Sequence, residues 1–181
     1  MISELVTERL LLRRWGDEHR EPFFRMCQDA EVMRYLLPMN DQTASDAFID
    51  RLNAHFDMNG FGMWAAERRG KAQFIGVIGL QIPRVPFTSS PCVEVGWRLM
   101  RDAWGQGFAL EGAAAAIDAG FSRLGLAEIV AVTAIQNERS WRVMERLGMR
   151  RDATTFAHPA LAEDHPLSEH FLYRKATDSR E

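Results

Sequence analysis

The 181-residue chain reads as a single α/β domain, a mixed central sheet of six to seven strands with helices on both faces. Three observations predict this. Short apolar runs bounded by Gly and Pro alternate with longer runs whose apolar residues recur at spacings of three and four. Strand-like runs come first as hairpins, which pair antiparallel neighbours. A strand–helix–strand–helix unit follows between residues 92 and 147, and such a unit crosses over to a parallel neighbour.

Taken in order, Leu10–Trp15 (LLLRRW) is the first strand. Asp17 is placed to cap the helix that follows, and Pro22 fits its first turn. Ala30–Leu37 is a short helix stopped by Pro38. Thr43–Met58 is a helix with Phe48, Leu52, His55 and Phe56 on one face, and Gly60 is placed to end it. Gly62–Arg68 and Gln73–Leu80 are strands joined by a hairpin turn at Arg69-Gly70-Lys71. Pro83, Pro86 and Pro91 mark a loop leading to a central strand at Cys92–Met100. Gly105–Leu124 is a helix with Leu110, Ala113, Ile117, Phe121 and Leu124 on one face. Glu128–Thr133 is a strand, and Asn137–Leu147 a helix closed by Gly148. Two weaker strands fall at Met149–Ala153 and His170–Arg174.

No repeat, low-complexity tract or long linker interrupts residues 1–181, and the folded core is expected to span about residues 8–175. Hydrophobic residues make up 46% and charged residues 26%, which excludes a disordered or collagenous chain. A net charge of −3 argues against a dedicated nucleic-acid binder. Cys27 and Cys92 form no CxxC pair and the five histidines have no metal spacing, so no metal is expected. Two thiols fit a reducing cytoplasm. Glu4, Glu8 and Arg9 come too early for a signal peptide. The apolar stretch from Phe108 to Phe121 is broken by Glu111 and Asp118, which makes it too short and polar for a bilayer.

Chemistry concentrates between Val93 and Arg150. Trp104-Gly105-Gln106-Gly107-Phe108-Ala109 sits where a helix begins. Two glycines let backbone amides approach a bulky anion, and the helix start adds unpaired N–H groups and a positive dipole end. A pyrophosphate suits such a turn. No Lys-Ser or Lys-Thr is present for a Walker loop, and Leu110 stands where a dinucleotide fingerprint needs Gly or Ala. The remaining reading is a coenzyme A loop.

Here the sequence resembles the GNAT superfamily of acetyl-CoA-dependent N-acetyltransferases, in the branch similar to ribosomal-protein N-terminal acetyltransferases. The likeness is carried by TERLLLRRW, WGQGFALEGAAAA, NERSWRVMERLGM and HPALAEDHPLSEHFLYR, in that order along nearly the whole chain. It implies a mostly antiparallel sheet that splays open beside the Val93–Met100 strand, with acetyl-CoA as cosubstrate. It further implies that Trp97 and Leu99 offer backbone groups to the pantetheine arm, and that Gly105, Gln106, Gly107, Phe108 and Ala109 hold the pyrophosphate. Asn137 matches a position contacting the cofactor arm, and Ser140 a polar position near the thioester sulfur. Tyr35 and Trp64 match the acceptor cleft.

Glu94 shares a strand face with Gly96 and Arg98. It is a candidate general base, or a structural carboxylate paired with Arg98. Ser140 is a candidate acid for the leaving thiolate, or a residue bonding the helix backbone. Glu138, Arg142 and Arg146 form a stripe that is either a solvated ion-paired face or a phosphate contact. His158, His165 and His170 lie around a Pro-containing loop before the last strand. The expected activity is direct acetyl transfer to a primary amine, of a peptide N-terminus or a small molecule, by a monomer or homodimer. The competing expectation is a catalytically weak CoA-binding sensor or scaffold.

Overall fold

A computed structural model describes residues 1–177; the final residues of the 1–181 domain assignment lie outside the described residues. The strands are β1 (Glu4–Val6), β2 (Leu10–Arg13), β3 (Met63–Arg68), β4 (Gln73–Gln81), β5 (Glu94–Leu99), β6 (Glu128–Ala134), β7 (Arg150–Arg151), β8 (Phe156–Ala157) and β9 (Glu169–Ala176). The helices are α1 (Arg20–Cys27), α2 (Ala30–Met33), α3 (Gln42–Asn59), α4 (Phe108–Leu124) and α5 (Glu138–Arg146). One sheet runs β1-β2-β3-β4-β5-β6-β9-β7, with β8 beside β9. Every pairing is antiparallel except β5 with β6.

The nine strands exceed the expected six to seven because β1, β7 and β8 are two or three residues long. Segments that short carry no readable alternation. The last strand, by contrast, is stronger than its sequence suggests, since β9 pairs with β6 along seven positions. Asp17 does not cap α1. It opens a 3-10 turn whose N-cap is Gly16, and its carboxylate takes the Arg20 guanidinium at 3.0 Å instead. Pro22 does sit in the first turn of α1. The short second helix ends at Met33, earlier than Leu37. Asp41 caps α3 through the Ala44 N–H at 2.7 Å, and Gly60 closes it at φ 75°.

Strand alternation fixes which helix covers which face. Val77 and Arg98 are paired neighbours, and Arg98 reaches Cys27 of α1. Ile78 and Leu80 point the other way, where α4 brings Gly112 and Gly120 so close that an added Cβ would lie 2.6 Å from Ile78 and 3.1 Å from Leu80. The small residues of α4 are therefore packing residues. The core centres on Trp64, Tyr173, Phe23 and Phe56, all fully buried. A smaller cluster of Phe87, Val130 and Leu172 lies on the α1 face beyond β5, beside the stacked ring of Phe156.

Candidate active site

The sheet forks between β5 and β6. These strands share one register pair, Glu94 with Val130, next to a backbone bond from Val130 N–H to the Val93 carbonyl at 2.9 Å. Met100 N–H bonds Ile75 of β4, so alternation turns the backbone groups of Trp97 and Leu99 toward the gap. Leu99 spends its carbonyl on the Trp104 indole N–H at 2.9 Å. Among the described residues the edge at Trp97 and Leu99 has no strand partner, which leaves a row of donors and acceptors ready for an extended ligand.

Above the fork, the chain turns through Gly105 at φ 72° and Gly107 at φ 82°, left-handed conformations that favour glycine. Helix α4 starts at Phe108 with Gly107 as its cap, so Gly105–Gly107 is a turn, and not the first helical residues that the sequence suggests. Arg9 braces this turn from outside. Its guanidinium donates to the Gln106 carbonyl at 2.8 Å and to Glu111 at 2.6 Å. The Gln106 side chain folds back onto the Asp102 carbonyl at 2.6 Å and does not line the cleft.

A cavity of about 610 Å³ runs through the fork. Its α4 side is lined by Gly105, Gly107, Phe108 and Ala109, together with Asn137 and Ser140 at the start of α5. Its other side is lined by Glu31, Val32, Tyr35 and Leu36 around α2, together with Arg98. Asn137 caps α5, its side-chain oxygen 3.4 Å from the Ser140 N–H. Arg139, Arg142 and Arg146 line the α5 wall. Arg142 is also paired with Glu138 at 2.5 Å, and the Arg139 guanidinium lies 4.5 Å from the centre of the Trp104 ring.

Glu94 sits at the root of the fork rather than in the lining of this cavity. Burial pushes its carboxyl up to about 7, against the opposing hydrogen bond from Gln81 Nε2 at 3.1 Å. The residue keeps partial solvent contact, so a proton can leave it. The suggested pairing with Arg98 does not form. Four strand residues separate their Cα atoms by about 13 Å, and Arg98 turns to the thiol of Cys27 at 3.4 Å.

Trp64 is corrected too. It is fully buried, its indole N–H reaches the Ile2 carbonyl at 3.3 Å, and its ring packs against Phe56. The apolar alternation of β3 points it into the core, away from any cleft. Of the two tyrosines, Tyr35 lines the cavity and Tyr173 is fully buried. His158 and His170 lie with ring centres 4.8 Å apart, and burial holds both below the ordinary histidine range. The sequence assigns no site role to three arginines. Arg9 is a hundred residues from the turn it braces, Arg139 is one of several helix charges, and Arg98 was read only as a partner for Glu94.

The chain belongs to the acetyltransferase (GNAT) domain family, whose model matches residues 9–150. It is therefore an acetyl-CoA-dependent N-acetyltransferase. The FsC-acetyl coenzyme A-N(2)-transacetylase of Aspergillus fumigatus is 33% identical, covering 84% of this chain and 67% of that protein. The N-acetyltransferase YoaA of Bacillus subtilis is 30% identical, covering 84% and 85%. Among solved structures, an acetyltransferase from Agrobacterium tumefaciens is 26% identical with a TM-score of 0.78, covering 97% and 95%. The ribosomal-protein-S5-alanine acetyltransferase of Vibrio fischeri shares the fold at a TM-score of 0.76 and 16% identity. No helix among the described residues is long and apolar enough to cross a membrane.

Proposed function

We propose that this enzyme moves an acetyl group from acetyl-CoA directly to a primary amine within a ternary complex. The observation that carries the reading is the shared cavity. One continuous cleft holds an unpaired strand edge, a left-handed glycine turn at a helix start and an arginine-lined wall. Each part suits one part of coenzyme A. The edge at Trp97 and Leu99 takes the pantetheine arm as an added strand. The amides from Gly105 to Ala109 face the pyrophosphate, and Arg139, Arg142 and Arg146 supply positive charge for phosphates.

The N–H of Leu99, on the open edge, is placed to polarise the thioester carbonyl. Glu94 accepts the amine proton, through water where the amine does not reach it, since a base with a value about 7 is half ionised near neutral pH. Ser140, which lines the cleft, steadies the leaving thiolate. A thiol has a reference value near 8.5, so the leaving group needs only weak help. Holding amine and thioester in line supplies most of the rate. Lysine side chains deprotonate at about 10.4 and α-amines at about 7.7–8.0, a difference of roughly 3.4 kcal/mol. A weak base therefore favours an α-amine acceptor.

The test is thiol release from acetyl-CoA with a panel of peptide N-termini and small amines, with mass spectrometry of the product. Release that depends on an amine, with one acetyl group added to it, supports transfer. Tight binding of CoA with no release for any amine would leave a sensor or scaffold.

A further inference from the structure

On the acceptor side of the cleft, Arg98 is a cation without an anion. Its guanidinium has one hydrogen-bond partner among the described residues, the thiol of Cys27 at 3.4 Å. Its Nε is buried with no partner at all. The rings of Phe23 and Phe48, stacked 5.4 Å apart, each lie 5.7 Å from it. Burial lowers the guanidinium from its ordinary value, and no carboxylate offsets that effect. Burial likewise raises the Cys27 thiol, so it stays neutral and cannot serve as the counter-ion. A cation in such a setting costs free energy unless something pairs with it. Five N–H donors in a planar fork match a carboxylate in a bidentate pair.

The neighbouring carboxylates are engaged elsewhere. Glu31 lies 3.9 Å from Arg34 on its own helix, and Glu94 is bonded by Gln81. Between Glu94 and Arg98 on the same strand face stands only Gly96, where an added Cβ would sit 3.4 Å from the end of Met63. The Met63 side chain covers the strand there. Arg98 lines the cleft, whereas Gly96 and Glu94 do not, so the guanidinium is the charged group of this strand face that a bound acceptor can reach.

We propose that the acceptor amine carries a carboxylate a few bonds away, and that Arg98 is the specificity residue that binds it. This rests on the acetyltransferase reading above and narrows it to amino-acid-like acceptors. Two sources share that chemistry, a free amino acid and a peptide that begins with an acidic residue.

The experiment compares matched acceptors with acetyl-CoA: free amino acids, the same amino acids as carboxamides, and peptide amides beginning with Asp or Glu against Asn or Gln. Carboxylate acceptors are expected to exceed their carboxamides at least tenfold in kcat/KM, mainly through KM. Free amino acids leading identifies a small-molecule acceptor; acidic peptides leading identifies a protein N-terminus. In Arg98→Met the preference should fall close to one. Arg98→Lys keeps the charge without the fork, so its preference should fall severalfold, and it carries the test where Arg98→Met does not fold. A wild-type ratio near one, or an unchanged ratio in the variants, overturns the assignment while transfer itself stands. If the wild type turns over no amine, the transferase reading fails, and Arg98 is tested by titration calorimetry of the CoA complex with N-acetyl amino acids and their amides. A carboxylate preference lost in the variants supports Arg98; equal binding of acid and amide, or none, overturns it.

Discussion

Glu94→Gln is expected to make the protein more stable at high pH and less active at neutral pH and above. The carboxyl lies at about 7 in the fold against an ordinary 4.5, because burial disfavours its charge. A raised acid binds its proton more tightly when folded, so its contribution is complete below 4.5 and is lost as pH rises through about 7. The full difference corresponds to about 3 kcal/mol, an upper bound given the residue's partial solvent contact. Gln carries no charge to desolvate and can keep a bond to Gln81. At about pH 8.5 the variant should therefore melt roughly 5–10 °C above wild type, from about 2–4 °C per kcal/mol in a domain of this size. At about pH 5 the two should melt together, since wild-type Glu94 is then protonated in the folded state. In activity, wild-type kcat/KM should rise about a hundredfold per pH unit below about 7, tenfold from Glu94 and tenfold from the acceptor amine. The variant should lose the Glu94 limb and about 10²–10⁴ in rate, keeping only the limb set by the acceptor amine. Differential scanning fluorimetry and thiol-release kinetics across the pH range measure both. A variant with the wild-type pH profile, or a melting difference independent of pH, would refute the reasoning.

Gly107→Asp places a side chain and a negative charge at φ 82°, on the turn proposed to face the phosphates. Calorimetry should show acetyl-CoA affinity falling at least tenfold, about 1.4 kcal/mol. Ser140→Ala should slow the chemical step by ~10–100-fold with little change in acetyl-CoA affinity. The loss should shrink for an activated thioester; equal losses for both donors would leave Ser140 as a helix-start residue only. Burial raises Glu67, but hydrogen bonds from Arg13 at 2.7 Å and His19 at 2.8 Å outweigh it and hold the carboxyl below its ordinary value. Its stabilisation is present above 4.5 and is lost as pH falls through the folded value. Glu67→Gln should cost about 1–3 kcal/mol by urea unfolding at neutral pH, and the deficit should narrow in acid.

What the sequence by itself determined is local. Gly60 and Gly148 both adopt left-handed backbone just past a helix end, where their positions in the periodic pattern place them. The turn from Gly105 to Ala109 and the Asn137–Ser140 helix start were legible for the same reason, since caps and turns are written within a few residues. The tertiary structure alone decided what depends on distant residues. That β5 and β6 share a single pair, and so leave an open edge, depends on pairing between residues 36 positions apart, which no local pattern reports. Trp64 has the same apolar signature in a core as in a cleft, and only the packing of Phe56 and Ile2 around it separates the two. Arg98 and Glu94 look like a pair by alternation, yet strand rise keeps them apart, and α1 gives Arg98 a thiol and two rings in place of a carboxylate. Alternation reports the face on which a side chain lies; desolvation and partnership depend on which other elements fold onto that face.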